Sequence, residues 1–389
     1  MMSVFLTSNI FIIFSIFIST ASCFVISKSG LFKHIEFSSR RLFNIDGVRG
    51  VAAAMVVMNH AVFILMNTGI VKDTYFSEID YHIFARSGEV GVQIFFCITA
   101  FLFADRIIKT QNNIDWKRFF YSRIKRLAPL YIFMITVSLL IAISISPEKF
   151  SFSIGSVYSM ISMYSFGFLG GDVHVLGVKM EPLTAVIWTL PYEWKFYAIL
   201  PIIAAIISSN KTLIPSFIFV SVIAFIDSYI NSALWVYFIS GAFVALVYNR
   251  IKPIDSKAFG ALSSVAAIAI IIALINIDMA PYGQMRFIII TLFFSLVVMI
   301  PPSIFKLKPL VYLGEVSYSS YLMHLPVMFV SFKLINSTKS LYNISFNEFA
   351  IITCFVVALS SIISCFTFKY IEYTFIKKKV SYSQVREPA

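Results

Sequence analysis

Eleven stretches of this chain are apolar for long enough to cross the roughly 30 Å hydrocarbon core of a bilayer as helices. They fall near 3–26, 48–68, 89–107, 127–146, 186–207, 213–229, 232–248, 258–277, 286–304, 311–332 and 349–371. A backbone in hydrocarbon must satisfy its own hydrogen bonds, so the runs are read as helices and the fold class as all-α, a polytopic integral membrane helical bundle. Only 13% of the 389 residues are charged, where a soluble domain carries about 25%.

The formal net charge of +12 would point a soluble protein towards nucleic acid. Here the cations sit in short clusters between apolar runs. Lys28, Lys33, Arg40 and Arg41 precede the second run, and Lys109, Lys117, Arg118, Arg123, Lys125 and Arg126 follow the third. Lys211, then Arg250, Lys252 and Lys257, then Lys306 and Lys308, and finally Lys377, Lys378, Lys379 and Arg386 continue the series. Every second loop is basic, the pattern of positive-inside topology. It predicts a multi-pass protein of the cell membrane with a cytoplasmic C-terminus and no nucleic-acid partner. The same charges suit anionic membrane lipids or an anionic substrate.

The loop 69–88, with Asp73, Glu78 and Asp80, is expected outside. So is 150–171, which is uncharged but rich in Ser and Gly, because counting it as a span would invert the charge alternation after it. The first run lacks a basic segment before it and is expected to be a retained helix with its N-terminus outside, although Ala21-Ser22-Cys23 resembles a processing site. Cys23, Cys97, Cys354 and Cys365 form no CxxC pair and no metal-ligand spacing. They read as core residues, and no metal is expected.

Ionisable residues inside such runs are costly, so each needs a reason. Arg49 and His60 are eleven residues apart in Asp46-Gly-Val-Arg-Gly50 and the run that follows. That places them on one helical face about 16 Å apart, Arg49 near the cytoplasmic rim and His60 near mid-membrane. A neutral imidazole can both take and give a proton; a hydrogen-bonded packing histidine is the plainer reading. His324 lies at similar depth, with Tyr321 one turn before it, and position alone does not separate structure from function there. Glu193 and Tyr197 share a face at i, i+4. A carboxylate at that depth either orients a reacting group or neutralises Arg49. Arg123 and Arg126, three residues apart where a span leaves the cytoplasm, form either a fork for phosphate or a positive-inside anchor.

The order of these elements resembles that of the membrane-bound acyltransferase family 3, which includes the O-antigen, capsule and Nod-factor O-acetylases. The resemblance runs from about Asn44 to Ile376. Its elements are Asp46-Gly-Val-Arg-Gly50 leading to His60, Val90-Gly-Val-Gln-Ile-Phe-Phe96, Arg123-x-x-Arg126 with Pro129-Leu-Tyr131, Trp188-x-Leu-x-x-Glu193 with Phe196-Tyr197, Ser317-Tyr318 through His324-x-Pro326, and Phe368-Lys-Tyr-Ile-Glu372. Two positions depart from it: Gln93 stands where many relatives carry Asp, and Trp194 where many have a second acid.

The resemblance implies about 10 core transmembrane helices plus one extra N-terminal hydrophobic helix. It divides the chain into an extra helix or signal-anchor at 1–27, an acyltransferase 3 membrane domain at 44–376 and a basic cytoplasmic tail at 377–389. It also implies transfer of an acyl group, usually acetyl, from cytoplasmic acetyl-CoA to a hydroxyl of a glycan or lipid-linked oligosaccharide such as O-antigen, capsule or exopolysaccharide. Arg123, Arg126 and Arg49 are then expected to bind the phosphates of the acyl-CoA. His60 is expected to act as general base or acyl relay, with Glu193 and Arg49 completing the catalytic set. His324, Tyr321, Tyr197 and Trp188 are expected to bind the acceptor. The rival from another class is a secondary transporter or flippase, which also sets ionisable residues at mid-membrane.

Overall fold

The computed structural model describes residues 2–33, 41–72, 75–110, 113–146, 153–169, 173–208 and 234–377, together with Ile218 and Val222. The helices are α1 (Met2–Ser27), α2 (Phe43–Asn67), α3 (Glu78–Thr110), α4 (Trp116–Ile145), α5 (Ile154–Met163), α6 (Glu181–Thr184), α7 (Leu190–Ser208), α8 (Val236–Tyr248), α9 (Lys257–Asn276), α10 (Gln284–Met299), α11 (Lys308–Glu315), α12 (Ser317–Thr338), α13 (Phe346–Thr367) and α14 (Tyr373–Lys377). Strands β1 (His174–Val175) and β2 (Val178–Lys179) form one small antiparallel hairpin. Its turn residues, Leu176 and Gly177, have φ of 49° and 75°, the backbone that lets a two-residue turn follow the strand twist.

Six helical stretches among the described residues are long and apolar enough to cross a membrane: Ser8–Ser27, Phe43–Asn67, Asp80–Thr110, Trp116–Ile145, Lys257–Asn276 and Phe346–Ile376. The expected eleven are therefore not reproduced. Helices α8 and α10 are apolar but shorter. The run at 311–332 divides at Val316, between α11 and α12. The run at 186–207 opens as a tight 3-10 turn, Ala185–Thr189, and becomes α-helical only from Leu190. Pro191, with no N–H to donate, sits in the first turn of α7, where none is needed. Helix α3 starts at Glu78, so Asp80 and Arg86 are helical rather than in a loop, and α5, inside the 150–171 stretch, has 10 residues. The 213–229 run apart from Ile218 and Val222, the cation Lys211 and the tail after Lys377 lie outside the described residues.

Helix α2 is the hub. Its membrane window is 78% buried, against 28% for α1 and for α9. Its Asp46-Gly-Val-Arg-Gly50 segment packs backbone to backbone: a Cβ on Gly47 would stand 1.8 Å from the carbonyl oxygen of Phe305, and one on Gly314 would stand 1.9 Å from that of Asp46. No side chain fits in such a contact. These glycines bring α11 close enough for Arg41 to bridge Asp46 and Glu315.

Peripheral helices dock through a few polar contacts and aromatic edges. The amides of Asn9 in α1 and Asn276 in α9 donate to each other at 2.8 Å, a pairing that hydrocarbon favours over leaving either group bare. Phe11 packs on Phe349 at 5.1 Å, and the thiols of Cys23 and Cys365 meet at 3.5 Å. Cys23, Cys97 and Cys365 are buried, as core residues are expected to be, whereas Cys354 is only half-buried.

Candidate active site

A cavity between α2, α3, α4, α7 and α12 gathers six of the residues singled out in the sequence. Arg49, Arg123, Arg126, Glu193, Tyr197 and Tyr321 all line it, with Val92, Phe95, Phe96, Thr99 and Phe103 along the α3 wall. Three guanidinium groups face one carboxylate in this space, so its lining carries a net positive charge.

Each arginine is held differently. Arg49 lies 3.7 Å from Asp46, its neighbour one turn back. Arg123 sits over the rings of Phe103 at 5.2 Å and Phe119 at 5.8 Å, a cation–π setting, and its Nε donates to Ser122 Oγ at 3.4 Å. Arg126 lies within electrostatic reach of Glu372, Glu315 and Glu193. Glu372 belongs to a π-helical turn, Phe368–Glu372, which turns its carboxylate inward to accept from Ser319 Oγ at 2.9 Å. Such turns replace the regular ladder where a side chain must be re-aimed. Glu193 accepts a hydrogen bond from the Tyr197 hydroxyl. Of the alternatives open for Glu193, the ion pair with Arg49 does not form; Asp46 takes that place.

The cavity closes at Tyr321, whose hydroxyl meets Thr189 Oγ1 at 2.7 Å and donates to Val186 O at 3.1 Å. One turn further along α12, His324 is fully buried and lines no part of the cavity. It was expected among the acceptor ligands; it lies instead against His60, with Nε2 3.1 Å from His60 Nδ1. His324 Nδ1 is 2.8 Å from Ser320 O, and His60 Nδ1 is 3.0 Å from Val56 O. Carbonyls only accept, so in the neutral pair His324 carries its hydrogen on Nδ1 and its Nε2 accepts from His60 Nδ1–H. That leaves Nε2 of His60 with its lone pair. His60 does not line the arginine cavity either; Tyr321 joins the two places, with its ring 6.4 Å from that of His324. Trp188 stands apart, 44% exposed and edge-on to Tyr192 at 6.1 Å.

Glu372 ends the last family motif and Glu315 lies just ahead of the one at Ser317, and the sequence gives neither a role. Their role as counter-charges depends on helices far apart in the chain, and no local pattern signals it. Trp194, the departure beside Glu193, packs between Phe166 and Tyr197, and its buried Nε1 has no partner among the described residues.

The fold and this cavity define a multi-pass membrane protein with a cationic chamber set among its helices. The acyltransferase 3 model, an acyltransferase domain, matches residues 42–365, and the chain belongs to that family. Over 345 residues it is 24% identical to O-acetyltransferase OatA of Staphylococcus aureus, an alignment covering 76% of this chain and 52% of that protein. It is 23% identical over 353 residues to peptidoglycan O-acetyltransferase OatA of Listeria monocytogenes, covering 78% of this chain and 52% of that one. The chain thus spans about half the length of these relatives. No solved structure matches it.

Proposed function

We propose that the protein is an integral-membrane O-acetyltransferase that moves an acetyl group from cytoplasmic acetyl-CoA to a hydroxyl of a cell-surface glycan or lipid-linked sugar. Family membership and the likeness to two O-acetyltransferases support the reaction class. The observation that carries the mechanism is the His60–His324 pair, which leaves one imidazole nitrogen of His60 free to take a proton.

The net positive cavity fits the phosphates of a CoA thioester. Arg123 offers a fork of donors, Arg126 adds charge tempered by Glu372, and Arg49 lies further along the same lining. The donor supplies an acetyl thioester. His60 takes the proton of the acceptor hydroxyl at Nε2 as that oxygen bonds to the acetyl carbon, and returns it to the sulfur as the C–S bond breaks. His324 steadies the imidazole by accepting from Nδ1, in the way a third group orients the histidine of a hydrolase triad. The C-terminus lies in the cytoplasm in this reading, on the side of the basic loops.

The test is transfer of labelled acetyl from acetyl-CoA to a membrane glycan fraction, comparing wild type with His60→Ala at equal abundance. Loss of transfer in the variant is expected. Undiminished transfer by His60→Ala would remove the mechanism, and absence of transfer by wild type to any glycan or lipid acceptor would favour a transporter.

A further inference from the structure

A buried arginine and a half-open carboxylate meet at the opposite end of the site from Arg49. Arg286, in the first turn of α10, is fully buried and pairs through Nη1 with Glu89 of α3, whose side chain is 28% exposed. Arg286 Nη2 donates to Leu274 O at 3.1 Å, while its Nε has no partner among the described residues. One turn along α3, Gln93 is also fully buried. Its Nε2 donates to Pro281 O at 2.7 Å, which fixes the amide orientation and leaves Oε1 without a partner among the described residues. Buried polar atoms are nearly always satisfied. Two unsatisfied ones beside a single ion pair are not what a pair kept for packing would show.

Depth and direction tie this place to the reaction. Helices α2 and α3 run antiparallel, with Gly88 against Asn59 and Gly91 against Ala52 and Val56. Glu89 therefore lies at the level of His60, about 15 Å from Arg49. The stripe of α3 that carries Glu89 continues through Val92, Phe96, Thr99 and Phe103, which line the arginine cavity. Tyr282 lies within electrostatic reach of Glu89, Tyr192 and Arg286, and burial raises its phenol above the ordinary range, so it keeps its hydroxyl proton. Tyr192 in turn packs on Phe96 at 6.0 Å and meets Trp188 edge-on.

The geometry points to a saccharide subsite here, in which Glu89, set in place by Arg286, accepts hydrogen bonds from ring hydroxyls while Trp188 and Tyr192 face the apolar side of the sugar. Planar carboxylates accept from two neighbouring hydroxyls at once, and aromatic faces suit the C–H surface of a pyranose. The Glu89–Arg286 pair is neutral overall, so this end draws an uncharged polyol rather than the phosphates that suit the three cavity arginines. The inference rests on the glycan reading above and gives its acceptor a place: the level of His60, across the site from the donor's charged end.

The test uses the full chain in detergent. Tetra-N-acetylchitotetraose and cellotetraose are titrated calorimetrically without donor, and CoA is titrated separately. At least one sugar binds wild type, and Glu89→Gln and Trp188→Ala each weaken it about tenfold or more, the scale of a lost hydrogen bond to a charged group, with CoA affinity unchanged. If neither sugar binds wild type, or both variants bind like wild type, the subsite is overturned. A pair kept for packing predicts that Glu89→Arg combined with Arg286→Glu restores both thermal stability and sugar binding; the subsite predicts stability without sugar binding. Trp188 is partly exposed, so Trp188→Ala decides the matter if the charge variants fail to accumulate. Sugar binding by wild type without acetyl transfer would sink the proposed reaction and leave the subsite standing. Acetyl transfer by Glu89→Gln with an unchanged acceptor KM would do the reverse.

Discussion

Nε2 of His324 lies 3.1 Å from Nδ1 of His60, joining two helices whose contact residues are 264 positions apart. The pair sets the tautomer of His60 and with it the nitrogen that meets the acceptor. His60→Ala is expected to lower acetyl transfer about 10²- to 10⁴-fold, the range of a general base. His324→Ala lowers kcat by less and leaves the donor KM alone, while His324→Gln recovers part of the loss, because its amide oxygen can accept from Nδ1–H. Initial rates at equal membrane abundance check this. A His324→Ala variant as fast as wild type would take the pair out of the chemistry.

Arg123 and Arg126 line one cavity but differ in their surroundings, and their variants should differ too. Arg123→Ala is expected to raise the KM for acetyl-CoA about tenfold or more with little loss of stability. Arg126→Ala raises it as well and also lowers thermal stability, since Glu372 is left buried beside Ser319 without the positive charge of Arg126. Donor titrations and unfolding midpoints separate the two effects. Unaltered donor KM in both variants would reduce the cluster to a topology anchor.

Glu193 receives the Tyr197 hydroxyl inside the same cavity. Glu193→Gln keeps an acceptor for that hydroxyl and removes only the charge, so any loss of activity reports on charge. A fall in kcat of about tenfold is expected for Glu193→Gln, with a milder one for Tyr197→Phe. If Tyr197→Phe proves the more damaging, the hydrogen bond rather than the charge is what the site needs.

Gly314 lets α11 touch α2 along the backbone, and Gly47 lets the 3-10 turn at Phe305, just before α11, do the same. Gly47→Ala places a Cβ 1.8 Å from the Phe305 carbonyl oxygen, and backbone cannot yield as a flexible side chain does. The expected cost is about 1–3 kcal/mol or more, read as a lower unfolding midpoint and lower membrane abundance. Gly155→Ala is the control, because a Cβ there meets only Ser153 Oγ, at 3.7 Å.

The membrane class, the basic loops and the chemically costly residues were legible because each is a local property. Hydropathy over a span, cations at its end and a three- or four-residue spacing are all written within one segment. Arg49, His60, Glu193, Arg123, Arg126 and His324 were found this way, and their order along the chain pointed to the family. Segment lengths were read less well. The 311–332 run looked continuous, but Glu315 answers to Arg41, which precedes α2, and the helix breaks at Val316 just after it.

By itself the sequence determined that the bilayer is this protein's solvent and which side chains it could not carry there without a purpose, because transfer of each residue into hydrocarbon depends on that residue and its near neighbours. The tertiary structure alone decided which of them meet. It put Asp46 rather than Glu193 beside Arg49, His324 against His60 rather than in the cavity, and Arg286 with Glu89, 197 residues away. Such pairings hang on ångström-scale approach between helices, set here by glycines such as Gly47, and no periodicity within a single helix records them.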